Sequence, residues 1–375
     1  MEDKKKRIGI VTIHMMNNFG AVLQAYALNY YLNSLGYDAE TIDFRTPRVE
    51  TSYNYYARVR RPSDLIRNFQ CWVYLRKTKL RKIRMLSFAQ NQIKLSKNTY
   101  YTNDELTKAD LDYDFYICGS DQIWNTFCDN YDDAFLLTFA REKGVRLSYA
   151  ASLGMSSVHP NLVQKFRTEL SGFSALSVRE KNAVDLISSI SGKEAVQVLD
   201  PVFLLTKKQW EQVMRDDKKP TKPYILFYSV HGGSLAMRTH VKALSKKYHL
   251  PVVVVYKNLR EMLYPNIKRY DAGPAEFVSL ISGAEFVFTN SFHGCALSIL
   301  FKKKFQVFVD GTPEQGTSSR IYSLMGTFGL ADRIVFGEGD PELMGKDIDW
   351  NDVESKLTPM IDSSKAFLDE ALRKE

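Results

Sequence analysis

Polar side chains follow several apolar strands in this sequence, and their types suit acid–base chemistry and anion binding. The stretch TNSFHGCALSIL joins an apolar strand to an apolar helical run, and His293 lies at the corner between them. Histidine can transfer a proton near neutral pH, and free N–H groups at a helix start, here near Gly294, attract anions. His293 is therefore a candidate catalytic acid or phosphate ligand. The alternative is a histidine hydrogen-bonded inside the fold.

Two further corners carry charged groups that suit the same chemistry. GSDQIWN places Ser120, Asp121 and Gln122 after a buried strand, where Asp121 suits a general base or a sugar ligand or else caps the next segment. SVREK places Arg179 after another strand. A guanidinium there can bind phosphate or carboxylate through two hydrogen bonds, although a solvated Arg–Glu pair is an equal alternative.

A fourth corner lies near the N-terminus. The stretch HMMNNFGAVLQ places Asn18 and Gly20 directly before a helical run. Backbone N–H groups at such a helix start point towards whatever lies at the corner. An ordinary loop with an asparagine cap fits the same residues.

These corners are held by strands and helices that alternate almost throughout the chain. Such a βα rhythm predicts parallel sheets covered by helices, and 375 residues exceed what one core usually supports. We predict an α/β fold with two Rossmann-like domains facing a cleft, over residues 1–205 and 206–350. Residues 351–375 are predicted to form a helical segment that packs back on the first domain. Ligands of such sheets bind at the carboxyl ends of the strands.

The composition excludes several classes of protein. A sequence with 45% apolar and 25% charged residues is ordinary for a soluble globular protein. It contains no apolar run of about 18 residues, and its first apolar run is too short for a secretory signal, so we expect a cytoplasmic location. The spacing of Cys and His predicts no metal site, and the lack of GxGxxG and P-loop motifs predicts no nucleotide cofactor.

One segment, at about residues 46–98, interrupts the βα rhythm and is predicted to be an insertion in the first domain. Residues 58–97 within it contain 12 Lys or Arg and one acidic residue, in a chain whose net charge is +8. Apolar residues recur there at near-helical spacing: Leu65, Ile66, Phe69, Trp72, Val73, Leu80 and Ile83. The pattern suits a helix lying on anionic lipid, or a helix whose apolar stripe packs on the first domain. No nucleic-acid recognition motif accompanies the charge.

Taken in order, six pieces of the sequence resemble the polysaccharide pyruvyl transferase family. They are NNFGAVLQAYAL, GSDQIWN, YAASLG, SVREK, VLDPVFLL and TNSFHG. The resemblance implies a GT-B-like fold and transfer of pyruvate from phosphoenolpyruvate onto two hydroxyls of a sugar, giving a cyclic ketal. The implied acceptor is a cell-surface polysaccharide precursor, such as a lipid-linked oligosaccharide at the inner membrane face. No cofactor is implied.

The late motif departs from the family pattern, which usually reads Arg-x-His-Gly and uses the arginine to bind phosphoenolpyruvate. Ser291 occupies that position here, and Arg320 in TSSRIYSL is a candidate substitute. With this reaction in view, we expect His293 and Asp121 to carry catalysis. We expect substrate binding by a larger set, namely Arg179, Ser291, Gly294, Arg320, Asn18, Gly20, Ser120 and Gln122. A glycosyltransferase using a nucleotide-sugar and a non-catalytic binding module on the same fold are the alternatives.

Overall fold

The structure, a computed structural model, describes residues 5–56, 58–59, 61–215, 218–230, 233–256, 266–309, 318–336 and 345–373. Within these residues the chain folds into two α/β domains, each built on a parallel sheet. The predicted α/β fold of two Rossmann-like domains is confirmed.

The N-terminal domain contains a parallel sheet of five strands in the order β3-β2-β1-β4-β5. The strands are β1 (Arg7–Val11), β2 (Asp38–Phe44), β3 (Leu95–Tyr100), β4 (Phe115–Gly119) and β5 (Val145–Tyr149). A two-stranded sheet of β6 (Leu176–Val178) and β7 (Ala195–Gln197) extends it, because isolated bridges connect Leu147 to Ala175 and Ala151 to Val178. The central strand β4 is buried along its whole length, as a strand covered on both faces must be.

Seven α-helices lie among the described residues of this part of the chain. They are α1 (Phe19–Ser34), α2 (Pro47–Thr51), α3 (Pro62–Val73), α4 (Leu75–Gln92), α5 (Asn103–Lys108), α6 (Val163–Leu170) and α7 (Lys181–Ser191). The helix α1 is buried on nearly all sides, because it lies between the N-terminal sheet and the C-terminal domain. Its start is fixed by the Asn18 side chain, which accepts a hydrogen bond from Gly20 N at 2.9 Å.

The C-terminal domain has a parallel sheet of six strands in the order β10-β9-β8-β11-β12-β13. The strands are β8 (Ile225–Tyr228), β9 (Val252–Val254), β10 (Ile267–Lys268), β11 (Phe286–Thr289), β12 (Lys304–Phe308) and β13 (Ile334–Val335). The helices after β7 are α8 (Lys207–Val213), α9 (Leu235–Tyr248), α10 (Pro274–Gly283), α11 (Phe292–Leu300), α12 (Ser319–Thr327) and α13 (Trp350–Arg373).

The two domains share an apolar interface at the start of α1. The Phe19 ring stacks on Phe277 of α10 with centroids 4.4 Å apart and tilts against Tyr228 at 5.5 Å. The last helix, α13, returns to the N-terminal domain, where Ser364 Oγ accepts a hydrogen bond from Leu199 N at 2.9 Å. These contacts hold the carboxyl ends of the two sheets against each other.

The insertion differs from the sequence prediction in two respects. It ends in a regular strand, β3, which pairs in parallel with β2 and forms the edge of the main sheet. The apolar stripe of α3 does not pack on the first domain: Leu65, Phe69 and Trp72 are 59%, 53% and 65% exposed. That alternative is wrong because α3 buries its opposite side, which carries the buried Cys71.

Candidate functional site

Three of the predicted corners meet at one buried carboxylate, Asp200, which follows β7. Its Oδ2 accepts a hydrogen bond from Arg179 Nη1 at 2.7 Å and another from Ser120 Oγ at 3.1 Å. His293 Nε2 lies 3.2 Å from the same oxygen. Asp200 therefore connects the ends of β4, β6 and β11, and so connects both domains.

The charges around Asp200 keep it ionised. Burial alone would raise the pKa of Asp200, but the neighbouring His293 and Arg179 hold it well below its usual range. The other oxygen, Oδ1, accepts a hydrogen bond from Val202 N at 3.1 Å and caps a short 3-10 turn. The carboxylate is thus fixed in position, and it orients the two side chains that the sequence predicted to be functional.

Gly20 and His293 are in close contact across the domain interface. A Cβ atom added to Gly20 would lie 2.1 Å from His293 Nδ1, which is far inside any real contact. Gly20 therefore serves the site by leaving space for the imidazole ring. The ring contacts Asp200 on its Nε2 side and Gly20 on its Nδ1 side, and its side chain is 7% exposed.

Ser291, at the position where the resemblance implies an arginine, caps the helix α11. Its Oγ accepts a hydrogen bond from Gly294 N at 3.3 Å, so one of the free N–H groups at the start of this helix is already occupied. Burial raises the pKa of Tyr228 to about 12, although the charge of Arg81 and a hydrogen bond with Ser291 both lower it. The expected anion contact at the Gly294 N–H would require this cap to open.

Two arginines bring unpaired hydrogen-bond donors to one cavity. The guanidinium carbons of Arg179 and Arg320 lie 4.4 Å and 6.0 Å from the centroid of the Phe292 ring. Arg179 Nη2 and Arg320 Nε are buried and have no hydrogen-bond partner among the residues that the structure describes. Such donors are costly when left unpaired, and a bound anion would satisfy both.

The cavity itself lies between Arg179, Glu180 and Asp200 on one side and Phe292 and α12 on the other. It is narrow and holds about one water-sized molecule, so a larger ligand requires its side chains to move. Glu180 and Asp200 offset much of the arginine charge. Burial and the nearby Arg179 lower the pKa of Arg320 to about 10, which an anion beside Arg320 would reverse.

Asp121 and Gln122 lie next to this cavity. Asp121 has a left-handed backbone, with φ 66°, and its carbonyl accepts hydrogen bonds from Ile123 N and Ser152 N. Its carboxylate attracts Arg179 and Arg320 electrostatically. With its amide oxygen turned towards Arg320, Gln122 accepts a hydrogen bond from Arg320 Nη2 at 2.8 Å.

The structure therefore brings the predicted residues together and adds one that the sequence analysis did not assign. Asp200 lies in VLDPVFLL, a piece that carried the resemblance but received no role. The signal was present, because an aspartate followed by proline shortly after a strand often fixes a turn. Among the described residues, no group of three or more His, Cys, Asp or Glu side chains is arranged to hold a metal ion. Nor is any of their helices long and apolar enough to cross a bilayer.

Comparison with known proteins identifies the family. The family model for polysaccharide pyruvyl transferase matches residues 18–309, which is well over half of the chain. The chain belongs to the polysaccharide pyruvyl transferase family, and it is a transferase. The matched range includes the Asp200 network, whereas Arg320 lies beyond its end. A search of curated proteins gave no match.

Solved structures of similar shape are distant in sequence. A putative UDP-N-acetylglucosamine 2-epimerase from Listeria monocytogenes is 9% identical, with a TM-score of 0.51 over 96% of this chain and 91% of that chain. A UDP-GlcNAc 2-epimerase from Neisseria meningitidis is 13% identical over 98% and 94%, with a TM-score of 0.47. The heptosyltransferase II of E. coli is 10% identical over 96% and 99%, with a TM-score of 0.40. The Listeria likeness shows the fold alone, and the predicted GT-B-like arrangement of two Rossmann-like domains is confirmed.

Proposed function

We propose that this protein transfers the pyruvyl group of phosphoenolpyruvate onto two hydroxyls of a sugar in a cell-surface polysaccharide precursor. The observation that carries the proposal is the convergence of two unpaired guanidinium donors, Arg179 Nη2 and Arg320 Nε, beside the Asp200–His293 pair. This arrangement lies at the carboxyl ends of the strands, where ligands of such sheets bind. The reaction requires neither a metal ion nor a nucleotide. We also propose that the protein acts in the cytoplasm, at the inner face of the membrane.

Phosphoenolpyruvate carries a carboxylate and a phosphate, and both need cationic donors. Arginine binds either group through paired hydrogen bonds. In the proposal, Arg179 and Arg320 hold the donor. Arg320 takes over the charge that the family arginine would supply at Ser291. Since the cavity is narrow, binding moves the side chains around Phe292, and the ligand charge stabilises the buried Arg320 cation.

The chemistry then needs one proton donor and one acceptor. Protonation of the enol CH2 carbon lets a sugar hydroxyl attack the adjacent carbon. The bond from that carbon to the phosphate oxygen breaks, phosphate leaves, and a second hydroxyl closes the ketal. Of the two hydroxyl protons released, one replaces the proton consumed and the other goes to phosphate or solvent. We assign His293 as acid or phosphate ligand and Asp121 as base or sugar ligand.

The remaining predicted residues have supporting places in this proposal. Ser120 holds Asp200, Gln122 contacts Arg320, and Gly20 makes room for His293. Asn18 caps α1 beside them. Gly294 and Ser291 form the cap of α11 and join the site only if that cap opens.

The proposal is tested with purified protein, phosphoenolpyruvate and a panel of nitrophenyl and lipid-linked sugars. We expect phosphate release matched by ketal formation, detected by mass spectrometry. Consumption of a nucleotide-sugar, together with no phosphate release from phosphoenolpyruvate, would identify the glycosyltransferase alternative instead. If the protein is a binding module without activity, His293→Ala leaves its cellular function intact.

Substitution of Arg320 tests the donor site directly. Arg320→Gln keeps a polar side chain but shortens it and removes the charge. The value of kcat/KM for phosphoenolpyruvate should therefore fall about 10- to 100-fold, as expected for a lost charged hydrogen bond. The matched control is Arg167→Gln on an exposed face of α6, which should leave kcat/KM unchanged. Equal kinetics for both variants would remove Arg320 from the donor site.

A further inference from the structure

The helix α3 exposes a continuous apolar face to solvent. Leu65, Phe69 and Trp72 recur at helical spacing on one side. Together with Ile66, at 56% exposed, each of these side chains is more than half exposed. The rings of Phe69 and Trp72 stack with centroids 5.9 Å apart. A cluster of bulky apolar side chains of this kind usually marks a binding surface.

Cations surround this apolar face. Exposed side chains include Arg58 and Arg61 before α3, and Arg76 and Lys79 at the start of α4. Arg76 and Lys79 share their side of α4 with Ile83, which is 61% exposed, because these positions are three and four residues apart. Over residues 58–97 the only acidic residue in the sequence is Asp64.

Other cations of the same segment fix α4 to the body of the protein. Arg81 donates to Asn17 Oδ1 at 3.1 Å and to Val255 O at 3.4 Å. Arg84 contacts both Asp271 and Glu276, and Lys77 donates to Lys268 O at 2.6 Å. The buried side of α4 thus spans both domains. The helix α3 directly precedes α4 in the chain. Because α4 is attached to both domains, it holds the apolar face of α3 at the protein surface.

We propose that α3 is an interfacial anchor, which inserts its apolar face, Leu65, Ile66, Phe69 and Trp72, into the surface of an anionic phospholipid membrane. The exposed arginines and lysines around it bind the lipid headgroups. An amphipathic helix with aromatic and aliphatic residues on one side and cations around it binds in this way, and each nearby cation strengthens binding to anionic lipid. The inference is independent of the proposed reaction.

The charge and the aliphatic side chains of this face disfavour two other binding partners, a second copy of the chain and single-stranded nucleic acid. A second copy of the chain would bring the same cations together across a symmetric interface, and like charges oppose that contact. Single-stranded nucleic acid binds through aromatic rings between its bases, whereas Leu65 and Ile66 offer aliphatic surface. The combination of aliphatic side chains, Trp72 and cations fits the interface of a bilayer.

The experiment measures sedimentation of the purified full chain with vesicles of pure phosphatidylcholine and with vesicles containing phosphatidylglycerol. We expect binding to the anionic vesicles, weakened by added salt because the charges are screened. Phe69→Ser and Trp72→Ser should each lower the partition coefficient by about tenfold or more. The matched control is Leu235→Ser, an equally exposed apolar residue on α9, which should leave binding unchanged.

The charge contribution has its own test. Arg76→Glu combined with Lys79→Glu should weaken binding to anionic vesicles. Lys246→Glu, in the last turn of α9, should have little effect. Thermal unfolding shows whether each variant is folded, so loss of binding cannot be confused with loss of structure. Turnover with a short soluble acceptor should stay unchanged in Phe69→Ser and Trp72→Ser, which separates this test from that of the reaction.

Four results would overturn the inference. Absence of binding to either vesicle would exclude a lipid anchor. Binding that is equal for the α3 and the Leu235 variants would place the contact elsewhere. A dimer in light scattering that Trp72→Ser dissociates would show that the face is covered by a second copy. Binding of single-stranded RNA with no vesicle binding would assign the face to nucleic acid.

Discussion

At the scale of single residues, Asp200 explains why side chains from distant parts of the sequence act together. Three groups converge on its Oδ2, from Ser120, Arg179 and His293. Removing any one of them leaves a buried charge less compensated, which is costly. His293 is therefore both a structural partner of Asp200 and the candidate proton donor, so the two interpretations of this histidine are compatible.

Gly20 provides the sharpest single-residue test of the His293 position. Gly20→Ala improves the intrinsic helix propensity of α1, but the new methyl group meets the His293 ring. Displacement of a reacting group by about 1 Å can cost about 100-fold in rate. We therefore expect kcat to fall by that order. Thermal stability, measured on the same preparation, should fall as well, because the displaced imidazole leaves the buried Asp200 less compensated.

The control for this prediction is Gly326→Ala in α12, where an added Cβ contacts no atom within 4 Å. It should leave turnover unchanged and slightly raise stability, because alanine is the better helix former. If Gly20→Ala and Gly326→Ala behave alike, then the contact between Gly20 and His293 has no role in catalysis.

At the scale of elements, the basic insertion divides into two helices with different tasks. The helix α4 uses Arg81 and Arg84 to join the domains, while α3 leaves its apolar face in solvent. The two helices follow one another with only Tyr74 between them. Net charge alone does not distinguish α3 from α4. The two helices differ in which of their side chains are buried.

Arg84 tests the joining role of α4. Its guanidinium contacts Asp271 at 3.2 Å and Glu276 at 3.1 Å, and Glu276 also accepts a hydrogen bond from Gly273 N at the start of α10. Arg84→Ala should lower the free energy of unfolding by about 1–3 kcal/mol, since buried acceptors lose a charged partner. Urea denaturation followed by tryptophan fluorescence measures the change.

The matched control is Arg76→Ala on the exposed side of the same helix, where a change within about 0.5 kcal/mol is expected. A similar loss in both variants would mean that the contacts of Arg84 with Asp271 and Glu276 do not account for it. An effect confined to Arg84→Ala would support its role as a bridge between the domains.

At the scale of the whole molecule, buried carboxylates set the response of stability to pH. Burial alone would raise the pKa of Asp43 and Asp200, but hydrogen bonds from His14 and Arg45 lower the first, and His293 and Arg179 lower the second. Both folded-state pKa values lie below the usual value of about 3.9. Their contribution to stability is therefore complete above about pH 4 to 5 and is lost as the pH falls further.

Urea unfolding between pH 7 and pH 3 checks this expectation. The free energy of unfolding should fall steeply below about pH 4.5. Asp200→Asn cannot lose a proton, so its curve should be lower at neutral pH and flatter on the acid side. Asp104→Asn, on an exposed turn of α5, is the control. Parallel curves for wild type and Asp200→Asn would show that Asp200 contributes nothing to acid sensitivity.

The order of residues along the chain was enough to predict the fold class and most residues of the candidate site. Alternating strands and helices predict parallel sheets, and polar groups directly after strands must lie at their carboxyl ends. His293, Arg179 and Ser120 could be selected on that ground because local order along the chain fixes which end of a strand they follow. The family resemblance rested on the same short pieces.

The partners of these residues could not be predicted in the same way, because they depend on how the chain folds. That Asp200 binds Arg179 and approaches His293, or that Gly20 must lack a side chain, depends on contacts between residues far apart in the chain. The same holds for the basic segment, whose composition shows only that it is positively charged. The structure shows that Arg84 contacts the other domain, whereas Arg76 is exposed to solvent. Side-chain burial is a property of packing between elements, which helical spacing alone does not specify.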